Sequence, residues 1–425
     1  VETTPKAASL AQIKAIATRA KLDDSFVVAQ MEREATEEQV REAALDILAS
    51  ASGPRAIVVP GMPATAGDAV QAMSAAIMHR SGSRDAAIIA QAGPYQGATL
   101  RDMAADLFEM QTGRRARGMT PDALFRQVFA SATVGMQTTS DFGTVLNNAA
   151  RGIALAGAAE VSQEWRQIAR TVNFDDFRPQ EVASGYDTPD LQEVIEHEEI
   201  TYGAISRVVA NIKLKSFAKG FAFSRQAIIN NDLANFTGQA AEYGRMAARS
   251  LAKRVWRVFL EGTTAAFTMR DGKVFLHADH NNIAAGAALT AASLAAAEQQ
   301  MVEQAAIPGQ PLGIVPRFLI VGPGQRGAAL DLMGTSTFVV NGATIQNRFR
   351  NLEVIYEPSF GKAWALVADP AARPTIVVPL LGGRQDPNVD TEQHFETFGV
   401  KVRVWLDYEA APADWNGVVY NPGPA

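Results

Sequence analysis

The 425-residue sequence contains no cysteine. Disulfides, thiolate metal sites and cysteine nucleophiles are therefore excluded, and the chain suits a reducing cytosol. Histidine is scarce, with 5 residues, and aromatics make up 8%. No apolar run approaches the roughly 18 to 20 residues of a membrane span; the longest, Ile153 to Ala159 and Thr375 to Leu381, are too short. Neither sign of charge dominates, since 39 Lys+Arg against 45 Asp+Glu leave −6. Such a balance gives no global attraction for nucleic acid and leaves only a local basic face for that purpose. With 47% hydrophobic residues there is ample material for cores, and the length suggests two to four domains. The opening stretch, Val1 to Lys6, has no signal-peptide pattern. A first residue that is not Met leaves two readings open: a numbering boundary, or a terminus released by proteolysis.

Helical signals dominate the first third. Thr36 followed by Gln39 has capping-box spacing, residues 50 to 67 read as a linker, and helices are expected at 67–79, at 98–112 and from Pro121. This portion looks like a loosely packed helical arm or small module, not a catalytic domain. Ser140 then caps a helix over 141–156. Residues 172 to 226 read as extended, because Val208, Ala210, Ile212 and Leu214 alternate with Val209, Asn211, Lys213 and Lys215. Phe236, Ala240, Tyr243, Ala247, Leu251, Val255 and Val258 recur at intervals of three and four, predicting a helix over 233–261. At 1.5 Å per residue it is about 40 Å long, which suits a spine. The remainder alternates: strands near 274–276, 317–321, 338–340, 352–356, 364–368, 375–379, 395–406 and 417–420, and helices at 291–304 and 328–333. The class is α+β.

The catalytic inventory is poor. Gly322, Gly324 and Gly327 have dinucleotide-loop spacing, but the following helix is too short for a crossover and no acid stands about twenty residues on. We read a turn there. His277, Asp279 and His280 form the tightest His/Asp group, without helical metal-ligand spacing, and read as a polar turn. No nucleophile elbow or phosphate loop occurs.

Charge patterning is more informative. Between Arg178 and Arg207 there is no Lys or Arg, while Glu181, Asp187, Asp190, Glu193, Glu196, Glu198 and Glu199 crowd the stretch. Arg207, Lys213, Lys215, Lys219 and Arg225 follow. An acidic segment followed by a basic strand reads as a long two-stranded excursion. Such a hairpin is marginal alone and needs a neighbour to lie on. An ordinary solvated loop is the plainer reading of the same pattern.

The order of these pieces carries a resemblance. The capped start at Thr139 to Phe142, the excursion, the run Gly220 to Leu233, the spine, and the segment Asp271 to Asn281 resemble the tailed-bacteriophage major capsid proteins of the Hong Kong 97 type, most closely the Mu-like major head subunit branch. Pro316 to Val321, Trp364 to Pro370 and Asp414 to Gly423 match in kind and order, so the likeness covers roughly 139–425. It implies an α+β Hong Kong 97 type fold with a helical N-terminal extension at 1–137, an N-arm at 138–177 and an extended loop at 178–220. It further implies a peripheral domain at 221–264 and 386–425, and an axial domain at 265–385. The implied function is a self-assembling icosahedral shell of hexamers and pentamers around double-stranded DNA, located in the virion and assembled in the host cytoplasm. It is not an enzyme and needs no cofactor or metal. Implied partners are further copies of itself, a decoration or cement protein, a portal, a scaffold or maturation protease, and DNA without sequence specificity; no membrane is involved. Glu193, Glu196, Glu198, Glu199, Lys213 and Lys215 are the expected loop contacts between subunits, with Arg245, Arg249 and Arg257 on the spine. With no Lys between Lys21 and Lys213, the loop tip cannot supply an isopeptide lysine, so a non-covalent shell is expected. The extra helices at the start read either as a retained scaffold-like segment or as a clamp on neighbours. An encapsulin-like compartment and an α/β nucleotide-binding enzyme are the alternative readings.

Overall fold

The computed structural model describes residues 65–130, 142–187, 206–307, 310–340, 343–394 and 399–424, with scattered residues before 65. Val1–Ala64 and Thr65–Ala425 are separate compact units. In the first, the Thr36 backbone N–H donates to Gln39 Oε1 at 3.0 Å, which is half of the expected capping box.

The second unit opens with helices. These are α1 Ala66–Arg80, α2 Ala86–Ala92, α3 Leu100–Thr112, α4 Pro121–Ala130 and α5 Phe142–Ala159. Thr65 and Thr99 cap α1 and α3, the latter in a full capping box with Asp102. A loose arm is not what forms here. Met73, Ile77, Leu100, Met103 and Leu107 are fully buried in one core with Phe236 and Val402, far along the chain. Ala-rich helices have thin side chains, so they approach closely and bury without needing aromatics.

After the single turn α6 Trp165–Ile168 come β1 Ala169–Phe174, β2 Gln180–Asp187, β3 Ser206–Ile212 and β4 Lys215–Phe223. The short α7 Arg225–Ile229 leads into the spine, α8 Leu233–Leu260, within one residue of the predicted span. Asp232 accepts the Asn235 N–H and caps it. Its 28 residues extend about 42 Å. Leu233, Phe236 and Ala240 lie in the core with the early helices; Leu251, Val255, Trp256 and Phe259 lie in a second core between two sheets.

The rest comprises α9 Ala291–Val302, β5 Ala305–Ile307, β6 Gln310–Pro311, β7 Pro316–Val321, α10 Arg326–Gly334, β8 Thr337–Val340 and β9 Ala343–Gln346. Then follow β10 Glu353–Tyr356, β11 Trp364–Ala368, β12 Ile376–Leu381, β13 Asn388–His394, β14 Gly399–Tyr408, β15 Ala411–Pro412 and β16 Val418–Asn421. One sheet has the order β10-β7-β11-β16. Phe318, Ile320, Ala365 and Val367 on one face meet the spine's core, while Leu319, Val321, Trp364 and Leu366 on the other are covered by Leu294, Met301 and Ala329. In the other sheet β14 lies between β4 and β13, and β12 joins its end to β1. Val400, Val402, Val404 and Leu406 point inward along β14, with Lys401 and Arg403 outward. The expected strand at 274–276 is absent: a single bridge joins Thr268 to Val274, and Phe275 and Leu276 are both buried in a turn. Of the expected strand over 395–406, residues 395–398 lie outside the described residues and the rest is β14, paired with β13. No helix among the described residues is long and apolar enough to cross a membrane.

Candidate functional site

The two expected chemical motifs have structural roles. A Cβ at Gly322 would stand 2.3 Å from the Gly361 carbonyl oxygen, and Gly324 N–H donates to that oxygen at 2.9 Å. These glycines let two backbones touch, and their turn is closed by protein rather than open to a phosphate. Around His280, Nε2 lies 2.9 Å from Asp271 and Nδ1 lies 3.0 Å from the Phe275 carbonyl, with the ring stacked on Trp415 at 4.5 Å. Asp279 pairs with Lys273 and His277 Nδ1 accepts the Asp279 N–H. Among the described residues no group of three or more His, Cys, Asp or Glu is arranged to hold a metal.

The remaining candidate is the excursion. β2 and β3 form an antiparallel ladder from Gln180–Ile212 out to Asp187–Ser206, as the charge pattern predicted. The tip, with Glu193, Glu196, Glu198 and Glu199, lies outside the described residues. The root is not free of its own chain. Val182, Ile212 and Leu214 are buried with Phe174, Val377 and Ala413. A β-bulge falls at Ser184, whose hydroxyl donates to the Ala413 carbonyl at 3.1 Å. The expectation that the whole arm is ordered only by another copy is therefore corrected at its root, where apolar alternation on β2 and β3 finds a partner face in cis.

The cations sort themselves by partner. Lys215 Nζ sits 2.7 Å from Glu409 Oε2, inside the chain. Arg254, one face of the spine, forks onto the same carboxylate through Nε and through Nη2 at 2.8 Å. Burial pushes the Glu409 carboxyl up, but hydrogen bonds from Arg254, Lys215 and the Ala410 N–H outweigh it and hold the group below its ordinary value. Arg245 bonds Glu160 at 2.8 Å and Glu242 at 3.0 Å, and Arg257 bonds Glu261 at 2.6 Å. Of the expected contacts, Lys215, Arg245 and Arg257 are thus engaged within their own chain. Arg249 also touches Glu242, at 2.9 Å, yet stays 59% exposed, and Lys213 is exposed.

Arg249 lines a shallow groove of about 410 Å³ along the spine, with Lys219, Glu242, Tyr243, Met246, Ser250 and Lys253. Tyr243 is fixed there by donating to the Gly220 carbonyl at 3.0 Å. Lys219 and Lys253 are exposed. This is a shallow trough with an apolar floor, rimmed by Lys219, Arg249 and Lys253 together with Glu242. Lys219 and Lys253 were visible in the sequence only as two of many basic residues. Glu409 and Arg254 were not visible at all, because their pairing spans 155 positions.

A family profile described as "Phage capsid protein" matches residues 207–421, from the second strand of the arm to the last strand of the four-stranded sheet. The chain belongs to the phage capsid protein family. It is a capsid shell protein, and its fold is α+β, built on the long spine helix expected. Among solved structures this capsid protein is similar to the virus-like particle from Pyrococcus furiosus, at 13% identity and a TM-score of 0.41, covering 64% of this chain and 97% of that one. It is also similar to the bacteriophage PhiM1 mature capsid, at 11% and 0.42, covering 61% and 86%. A third likeness is to the holo-SrpI encapsulin complex from Synechococcus elongatus PCC 7942, at 9% and 0.40, covering 63% and 89%. The family assignment rests on the sequence match. No curated protein matches the chain.

Proposed function

We propose that this capsid protein self-assembles into an icosahedral shell of hexamers and pentamers that encloses double-stranded DNA in a virion, as in the Mu-like branch it resembles. The observation that carries this reading is the family match over residues 207–421, from β3 of the arm through the spine to β16. No bond chemistry is needed: several interfaces, each above about 1,000 Å², supply the association energy. Many individually weak contacts per subunit allow correction during assembly and hold the closed shell by avidity.

In this reading the acidic tip of one copy, with Glu193, Glu196, Glu198 and Glu199, lies in the groove of the next, against Lys219, Arg249 and Lys253. The exposed Lys219, Arg249 and Lys253 along the groove support that pairing. The axial region is the four-stranded sheet with α9 and α10, drawn from 265–385 without β12 and with β16 added. The peripheral region is the spine with the sheet of β14. Fastening by a decoration protein and portal attachment belong to the same proposal.

The decisive experiment is electron microscopy of the purified chain beside a variant carrying Glu196→Lys, Glu198→Lys and Glu199→Lys. The unaltered chain is expected to give closed particles and the variant to give none. Particles of normal yield and salt tolerance from the variant would refute the docking of the tip, and a solitary unaltered chain at high concentration would refute the shell.

A further inference from the structure

We propose that the turn from Gly113 to Met119, between α3 and α4, is a contact for the phosphate backbone of double-stranded DNA. It deepens the proposed function by naming where a subunit touches nucleic acid, and rests on that reading only for the source of the DNA.

The turn reads Gly113, Arg114, Arg115, Ala116, Arg117, Gly118, Met119, and residues 110–121 hold three arginines and no carboxylate. The chain as a whole carries −6, so attraction for a polyanion has to be local. All three arginines are exposed, and none has an ion pair or a side-chain hydrogen bond among the described residues. Arginines elsewhere are used within the chain: Arg317 meets Glu353 and Asp369, Arg348 meets Glu298, and Arg373 meets Asp414. The carboxylates flanking the turn are committed too. Glu109 Oε1 accepts the Ala116 N–H at 3.0 Å, and Asp122 pairs with Arg126 at 3.3 Å. A cation just past a helix C-terminus gains from the helix dipole, but that effect fades beyond the last turn and does not account for Arg115 and Arg117.

The backbone that carries these arginines is fixed. Gly113, at φ +66°, closes α3 by donating to the Glu109 carbonyl at 2.9 Å. The Arg114 N–H donates to Thr112 Oγ1 at 3.2 Å and the Met119 N–H to the Ala116 carbonyl at 3.1 Å. Ala116 and Met119 pack on the core of the early helices, so they anchor the turn while the arginines stay in solvent. A Cβ on Gly113 or Gly118 would meet nothing within 4 Å. The turn therefore stands clear of its own chain, where another backbone can come close.

The residue types choose the partner. Three guanidinium forks and no lysine suit phosphate oxygens. Residues 110–121 include no aromatic on which a base could stack, which favours a duplex held by its backbone over a single strand. An acidic protein surface would need an apolar centre, and exposed large apolar surface in this stretch is limited to Met110, at 39%. Three contacts per copy hold weakly, and many copies along one polymer hold it by number.

The test is fluorescence anisotropy of a labelled duplex of about 20 base pairs, titrated with the full chain kept unassembled, as light scattering verifies. Three neutralised phosphates should make binding by the unaltered chain weaken about 40-fold between 50 and 200 mM salt. Arg114→Gln, Arg115→Gln and Arg117→Gln together should remove most of that dependence and cost roughly tenfold or more at 50 mM salt. Each change alone should lower the slope of log affinity against log salt by about 0.9, which tests the site even if the triple variant misfolds. Arg178→Gln, Arg350→Gln and Lys362→Gln remove three exposed cations elsewhere and should alter neither quantity. No binding by the unaltered chain, an unchanged salt dependence in the turn variants, or an equal loss in the distant variant would overturn the site. Equal competition by poly-glutamate of matched charge would reassign it to an acidic protein surface, and tighter binding of a single strand would overturn the duplex. The titration reads unassembled chain, so a failure to form particles refutes the shell and leaves this contact standing.

Discussion

At the scale of single residues, two glycines set how close the spine can come to its neighbour. A Cβ on Gly244 would stand 1.9 Å from the Ala154 carbonyl oxygen, and one on Gly157 would stand 2.3 Å from that of Ala241. The two helices cross backbone to backbone, and no side chain fits between them. Gly244→Ala should cost about 1 to 3 kcal/mol despite the better helix propensity of Ala, because overpacking outweighs that gain; denaturant unfolding measures it. The sequence does not announce this contact, since each glycine looks like an ordinary helix defect until its partner is known. Glu409 is equally silent, and it carries a pH dependence. Its folded pKa lies below the ordinary 4.5, so its ion pairs stabilise the fold above that value and fade as the pH falls through the lower, folded one. As the pH falls below the ordinary carboxylate value, the thermal midpoint of the unaltered chain should drop more steeply than that of Glu409→Gln. A parallel decline in the two would show that Glu409 contributes nothing to acid sensitivity.

Elements were legible where a single period runs long. The spine is placed within a residue because seven apolar positions from Phe236 to Val258 keep one face through the 28-residue helix. The arm was legible from charge, since a stretch without one Lys or Arg cannot pass for a mixed surface. Tightness of the early helices was not legible: alanine gives little hydropathic contrast, and their core partners Phe236 and Val402 lie more than a hundred positions on. Leu107→Ala should therefore cost roughly 2 to 5 kcal/mol, as for any sealed core leucine. A loss confined to the first helices, with the cooperative unfolding of the rest unchanged, would contradict the shared core. At the same scale, replacing 188–205 by a two-residue Asn-Gly turn should leave the folded subunit intact, because the root is buried in cis, while removing assembly. Light scattering and circular dichroism on the same sample separate these outcomes.

For the whole molecule, the strand content could be read from sequence but the sharing of strands between sheets could not. β12 sits near the end of what reads as the axial stretch and yet pairs with β1 in the other sheet, while β16 crosses back to pair with β11. Pairing of this kind depends on register across hundreds of residues, which local alternation does not encode. The tail is consequently woven through both layers: β14 between β4 and β13, β15 on β12, β16 at the edge of the other sheet. A chain stopped after Glu409 would lack β15 and β16 and take one strand from each sheet, and near-ultraviolet circular dichroism should show it without fixed tertiary packing. There is a consequence for timing. β14, β15 and β16 come later in the chain than every strand they pair with, so neither large sheet can close before residues 399–421 have been made.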